Sequence, residues 1–328
     1  MKYPRRVRLK AVACPCDLAG RYPRGGRSLL RSLAALLCAA TAAAGPLDFG
    51  RAELDRAIQE RKLNPALFRV RTELSMALPE EGFQILPGLI RGGSTRGLMY
   101  GLLEAAGQVR ARGQLLPVKG QPKLAVRGVR RVAAPADWDR AASYWQAEFA
   151  ALARLRFNRF HWMLAAEPLT PERLQALKTI SEAAGERGIE LVIGLEDPTA
   201  EDVLRLLAEC EAVRGIHVDA ETAAYVSGAV STAGRYVVLE TTQSVKPAVP
   251  VPLRVAVEAG SPLPACDAPC AAYVVYHAGA APPASVPGAG FELLGEASAA
   301  WMNLGYSVAR VATPARRAPA RKAPVRKK

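Results

Sequence analysis

The sequence contains little of what several common functional sites require. Its 328 residues include three histidines, four tryptophans and six cysteines, and aromatic residues make up 6% of the chain. No apolar run reaches the ~20 residues of a membrane-spanning helix. No G-x-S-x-G motif marks a serine nucleophile, and the cysteines lack the paired spacing of zinc sites. These absences argue against a membrane span, a serine hydrolase of that type and a zinc centre.

One glycine-rich turn, residues 92–98, precedes a predicted helix. A phosphate-binding loop requires a lysine after its final glycine, and Leu98 occupies that position. We therefore interpret the turn as a tight strand-to-helix connection and not as a nucleotide site.

The net positive charge is concentrated at the two ends of the chain. Residues 1–31 carry nine basic residues and one acid, and residues 310–328 carry eight basic residues and none. Between them lie 27 basic and 29 acidic residues. A folded body so close to neutral argues against a specific nucleic-acid partner.

The N-terminus has the pattern of an export signal. A basic stretch ending at Arg31 precedes an apolar run over 32–40, and Ala42 and Ala44 form an A-x-A cleavage site. We predict a signal peptide over residues 1–44 and a periplasmic or extracellular protein. The alternative is an uncleaved amphipathic helix or a misassigned start.

The C-terminal residues 310–328 repeat Ala-Pro steps without apolar periodicity, which favours an extended, disordered tail. Their charge could give weak contact with an anionic polymer or a membrane surface. A solvated tail without a specific partner is the alternative.

Signal cleavage would leave Cys210, Cys266 and Cys270, so at most one disulfide could form within the mature chain. Cys266 and Cys270 are close enough in sequence to close a small loop.

The body divides into two predicted units. Residues 45–126 show short strands and two amphipathic helices, which predicts a small α+β domain. Residues 127–309 alternate strands with helices and end in a predicted helix over Glu292–Leu304. Because a full (β/α)8 barrel typically takes ~250 residues, this α/β unit predicts a shortened or incomplete barrel-like domain.

Chemistry in parallel α/β domains gathers at the carboxyl ends of the strands. Asp219 and Glu221 are two residues apart, so an extended strand would direct both to one face. Paired carboxylates of this kind can supply a proton donor and a base. The alternative for each acid is a helix cap or a rim charge, and Asp197 before Pro198 is a plausible cap. The strand-end candidates are His161, Trp162, Glu196, Asp197, Asp219, Glu221, Glu240, Glu258 and His277.

Three segments resemble β-N-acetylhexosaminidases. Residues 155–164, LRFNRFHWML, resemble the first barrel strand of that family, and residues 188–193 resemble the second. Residues 92–104 resemble a helix of the small α/β domain that precedes the barrel there and in α-glucuronidase-type enzymes. The resemblance covers roughly residues 50–225.

Together with the predicted export signal, the resemblance implies an exported glycoside-hydrolase-like protein that acts on or binds a carbohydrate at the C-terminal ends of its parallel strands. Glu221 would then be the proton donor, Asp219 the stabilising carboxylate, and Glu196 and Glu240 alternates. The residues expected to contact sugar are His161, Trp162 and Asp197. Such chemistry needs no metal or organic cofactor.

The sequence also departs from the family pattern. Met163 replaces a histidine, residues 165–167 replace an Asp-Asp pair, and the family's adjacent Asp-Glu pair is missing. A catalytically degenerate relative that serves as a glycan-binding or scaffold protein is the alternative.

Overall fold

A computed structural model of the protein describes residues 45–164, 168–241, 252–264, 270–277 and 279–311. These residues belong to one compact unit. The predicted signal peptide, nearly all of the basic tail and Cys266 lie outside the described residues. No helix in the described part of the chain has the length and apolar character needed to cross a membrane.

The first part is a five-stranded mixed sheet with one helix packed on it and a second helix packed mainly against the first. The helices are α1 (Pro46–Glu60) and α2 (Thr95–Arg112). The strands are β1 (Arg71–Leu74), β2 (Phe83–Leu86), β3 (Leu89–Gly92), β4 (Val118–Pro122) and β13 (Tyr306–Arg310). They run in the order β1-β3-β2-β4-β13, and only the β1–β3 pair is parallel.

The second part is a closed barrel of eight parallel strands. Its strands are β5 (Val126–Val132), β6 (Arg159–Met163), β7 (Glu190–Gly194), β8 (Val213–His217), β9 (Tyr236–Glu240), β10 (Leu253–Glu258), β11 (Cys270–His277) and β12 (Gly290–Leu294). Its helices are α3 (Ala142–Arg154), α4 (Pro171–Glu186), α5 (Ala200–Glu209) and α6 (Ala220–Thr232), and α7 (Ala299–Gly305) follows β12.

This architecture confirms the predicted fold class. The ring is complete because β12 pairs with β5, so the shortening lies in the crossovers and not in the strand count. The described residues between β11 and β12 contain no helix. A barrel can therefore close in fewer residues than usual when some connections lack a covering helix.

Several element boundaries differ from the sequence-based prediction. The segment resembling a first barrel strand is the second, β6, because β5 precedes it. The predicted helix over Glu292–Leu304 was wrong at its start, since residues 290–294 form strand β12. The final strand, β13, pairs antiparallel with β4 and so returns the chain to the first sheet.

A buried glutamate joins the small sheet to the N-terminal end of the barrel. The Glu81 carboxylate accepts hydrogen bonds from Arg127, from Arg96 at 2.7 Å and from the Asn158 amide at 3.0 Å. The Tyr306 hydroxyl donates to the backbone carbonyl of Glu81 at 2.6 Å. Burial alone would raise the pKa of Glu81, but the two arginines lower it, so the carboxylate stays ionised.

Candidate functional site

A chain of charged and polar side chains crosses the barrel lumen. Side chains from β5, β6, β8, β9 and β12 meet there, although several of these strands are not neighbours in the ring. Barrel interiors are normally packed with branched apolar residues, so this polar interior needs a specific set of partners.

Glu292 lies at the centre of this chain and has no solvent exposure. Its Oε2 is 2.9 Å from Nδ1 of His161 and accepts a hydrogen bond from Nε of Arg130 at 3.0 Å. Gly128 makes room for it, since a Cβ there would approach Cγ of Glu292 to 2.8 Å. Burial alone would raise the pKa of Glu292, but His161 and the arginines lower it strongly, and the group stays ionised.

The hydrogen bonds define the tautomers of both buried histidines. An ionised carboxylate only accepts, so Nδ1 of His161 carries the proton that it donates to Glu292. Burial lowers the pKa of His161, which keeps the ring neutral and leaves its Nε2 as an acceptor. Nδ1 of His217, 3.0 Å away, must then donate to that Nε2. Nε2 of His217 is consequently an unprotonated acceptor.

His217 brings this chain to the C-terminal end of the barrel. It is the last residue of β8 and is 7% exposed. Its Nε2 has no hydrogen-bond partner among the described residues and is not among their fully buried atoms. Burial, with His161 and Arg130 adding to it, lowers the pKa of His217 to about 3. The ring therefore offers solvent a neutral acceptor at physiological pH.

Glu240 is the predicted site residue that joins this chain at the C-terminal end of the barrel. It ends β9, its side chain is 43% exposed, and its Oε2 accepts from Nη1 of Arg130 at 2.6 Å. Arg130 thus links one exposed carboxylate with the buried Glu292. The barrel mouth is defined here as this end of the barrel, where His217 and Glu240 lie.

The side chains of His161 and Trp162 point to opposite sides of the barrel wall. His161 is fully buried in the lumen, where it contacts Glu292 and His217 and has no exposed surface. Trp162 faces outward, with ring centroids 5.3 Å from Trp145 on α3 and 5.0 Å from Trp138. Alternation along a strand explains this separation, and it leaves Trp162 in the apolar core.

Asp219 and Glu221 do not lie on one extended strand, because β8 ends at His217 and α6 begins at Ala220. Asp219 caps α6 by accepting from the backbone N–H of Thr222 at 2.7 Å, and this bond lowers its pKa. Glu221 is exposed in the first turn of the helix. The premise that placed both carboxylates on one face of a strand was wrong.

Glu196 and Asp197 are exposed beyond the end of β7. Asp197 has a left-handed backbone, with φ of 44°. The cap of α5 is Thr199, whose hydroxyl accepts from the backbone N–H of Asp202 at 3.1 Å. Of the acids predicted from sequence, Glu240 alone hydrogen-bonds to the lumen chain within the described residues.

Sequence reasoning missed Arg130, Glu292 and the role of His217. The available signal was a charged side chain in the middle of an apolar run, as in Phe291-Glu292-Leu293. A buried strand carries such a residue only where a partner neutralises it.

The described residues hold no cluster of His, Cys, Asp and Glu suited to a metal ion. Cys210 is a free, buried thiol whose pKa burial raises to about 12. Cys270 is disulfide-bonded.

Comparison with solved structures gives likenesses of fold. An enzyme of glycoside hydrolase family 138 that targets pectin rhamnogalacturonan II matches with a TM-score of 0.51 and 13% identity, over 65% of this chain and 46% of that one. A β-N-acetylhexosaminidase from Bacteroides fragilis matches with a TM-score of 0.45 and 14% identity, over 58% of each chain. A family 20 exo-β-N-acetylglucosaminidase from Vibrio harveyi matches with a TM-score of 0.44 and 12% identity, over 66% and 53%.

The match to the family 138 enzyme, with its TM-score above 0.5, shows a glycoside-hydrolase-like fold in a shortened and divergent form, as the sequence resemblance predicted. It spans about half of the length of these solved proteins, between 46% and 58%. No protein-family model matches the sequence, and no curated protein is significantly similar to it.

Proposed function

We propose that the protein binds a carbohydrate at the barrel mouth without cleaving it. The observation that carries this proposal is the pair of outward-facing acceptors, His217 Nε2 and the Glu240 carboxylate, at the end of a buried hydrogen-bonded chain. The shared fold with an enzyme that targets a polysaccharide supports the ligand class.

The chemistry of the two acceptors suits sugar hydroxyl groups. A hydroxyl donates one hydrogen bond, and a neutral imidazole nitrogen or a carboxylate accepts it. Arg130 holds Glu240, and Glu292 holds His217 through His161, so both acceptors are fixed before a ligand arrives. Such preorganisation lowers the entropy lost on binding.

The direction of the carboxyl pKa shifts within the described residues supports binding over hydrolysis. Glycoside hydrolysis needs a carboxylic acid whose pKa is raised enough to keep its proton. Among the described residues, every carboxyl group whose pKa departs clearly from its ordinary value is shifted downward. These groups are held as carboxylates by arginines, by His161 or by helix-capping bonds.

Hydrolysis is the second candidate function. One observation favours it: Glu240 at the mouth and Glu292 in the lumen both bond to the same guanidinium, that of Arg130, which brings the two carboxylates near each other. In this case Glu240 would be the group that acts on the glycosidic oxygen.

Calorimetry, which measures affinity, and an assay for released reducing sugar test both candidates. The protein expressed from the full sequence is mixed with oligosaccharides derived from chitin, cellulose and pectin. We expect at least one of these oligosaccharides to bind without release of reducing sugar. Its affinity should fall about tenfold or more for Glu240→Ala, because a hydrogen bond to a charged group contributes about 1.5–3 kcal/mol. Glu211→Ala, an exposed carboxylate preceding β8, is the matched control and should bind normally.

Two outcomes would contradict the proposal. Release of reducing sugar that Glu240→Ala abolishes would favour hydrolysis, and no binding of any oligosaccharide would remove the carbohydrate function. The mass of the same preparation shows whether the chain begins at Gly45, as the predicted cleavage after Ala44 requires.

A further inference from the structure

Directly beyond the ends of the barrel strands, the charged residues that the structure describes are acidic. At the strand ends and the three residues that follow each of them, the described positions contain six exposed carboxylates and no lysine or arginine. These carboxylates, here called the acidic rim, are Glu196, Asp197, Asp219, Glu240, Glu258 and Glu296.

Within the described residues, only one rim carboxylate, that of Glu240, pairs with a guanidinium group, that of Arg130. Arg130 is turned into the lumen, where Glu292 and Glu240 hold it. Arg131 points away from the lumen and pairs with Glu148 at 3.3 Å. A ligand at the mouth therefore meets an excess of negative charge.

An independent observation connects the rim to a ligand. Nε2 of His217 is an acceptor without a partner among the described residues, on a side chain that is only 7% exposed, and it lies at the same end of the barrel. The mouth thus presents acceptors and negative charge together, with its cationic donors turned inward.

We propose that the barrel mouth selects amino sugars that carry a free ammonium group, such as glucosamine oligomers. This inference rests on the proposed carbohydrate binding. An ammonium group is positively charged and supplies three donors with no acceptor, so it matches both features of the mouth. An N-acetyl group removes the charge, and a uronic acid places a carboxylate against the rim, which complementarity disfavours.

Calorimetry with three tetrasaccharides tests the inference: glucosamine, N-acetylglucosamine and galacturonic acid tetramers. Low-salt titrations should show about tenfold tighter binding of the glucosamine tetramer than of the acetylated one and no detectable binding of the galacturonate. Higher salt should reduce this preference, because exposed charges are screened. The Glu258→Gln/Glu296→Gln double variant should lower the glucosamine affinity about threefold, in line with the small contribution of exposed ion pairs.

The controls separate this inference from the proposed function. Glu211→Gln, which removes one exposed carboxylate preceding β8, should leave the preference unchanged. Equal affinity for the glucosamine and acetylated tetramers would overturn the amino-sugar inference and leave carbohydrate binding intact. Binding of spermidine as tight as that of the glucosamine tetramer would also overturn it, as non-specific attraction of cations. No binding of any tetramer would overturn both.

Discussion

Replacing Glu292 with alanine is expected to lower the free energy of unfolding by about 3–5 kcal/mol, the usual effect of removing one partner of a buried ion pair. Glu292 is fully buried and accepts from Arg130, and Nη1 of Arg159 lies 3.5 Å from its Oε1. Without this carboxylate, two guanidinium groups lose a buried counter-ion. Because folded domains are stable by only about 5–15 kcal/mol, the variant should be close to unfolding.

Urea denaturation of the wild type, Glu292→Ala and Glu258→Gln measures this effect. Glu258 ends β10 on the exposed rim, and its replacement should change stability by less than about 0.5 kcal/mol. A loss below about 1 kcal/mol for Glu292→Ala would show that the buried chain does not stabilise the barrel.

Acidification from pH 7 to pH 5 should lower the free energy of unfolding by about 2 kcal/mol through His217 alone, given about 1.36 kcal/mol per pKa unit. The pKa of His217 is about 3 in the folded protein, whereas an unfolded histidine titrates near ~6.5. A folded pKa below the unfolded value contributes stability above the unfolded pKa, and this contribution is lost as the pH falls through and below that value. The lowered pKa values of Glu81, Glu190 and Glu292 act in the same direction at lower pH.

Two variants isolate the histidine contribution in urea titrations at each pH. His217→Leu should reduce the change between pH 7 and pH 5 by about 2 kcal/mol and leave the contribution of His161, whose pKa burial also lowers. His277→Gln, which alters an exposed residue at the end of β11, should preserve the whole change. A wild-type stability that does not change over this range would mean that His217 titrates normally in the folded protein.

The sequence predicted those parts of the barrel in which the spacing of apolar residues matches the strand or helix that forms. The run around His161 alternates as a strand, and α4 and α5 follow with Thr170 and Thr199 as caps, so strand-helix alternation was clear. Closure was not visible, because β5 and β12 pair across residues far apart in sequence. The start of β12 was predicted as a helix, although Phe291, Glu292 and Leu293 alternate apolar and polar as residues of a strand do.

The candidate site was predictable only in part. The choice of Glu240 as a candidate followed from its position at the end of a strand, and its side chain lies at the mouth. The prediction that Asp219 and Glu221 lie on one face of a strand was wrong, because α6 begins directly after Asp219. The Asp219 carboxylate caps this helix. Arg130 and Glu292 were missed because a buried charge becomes interpretable only when its partner on another strand is known.

Nitrogen-15 NMR of the imidazole rings tests most directly whether the Glu292–His161–His217 chain holds a neutral acceptor at the barrel mouth. The protein has three histidines, so the imidazole resonances can be assigned with single variants. His217 should show a protonated Nδ1 and an unprotonated Nε2, unchanged between about pH 5 and pH 8. An imidazolium ring at pH 6, or a proton on Nε2 at pH 7, would contradict this assignment.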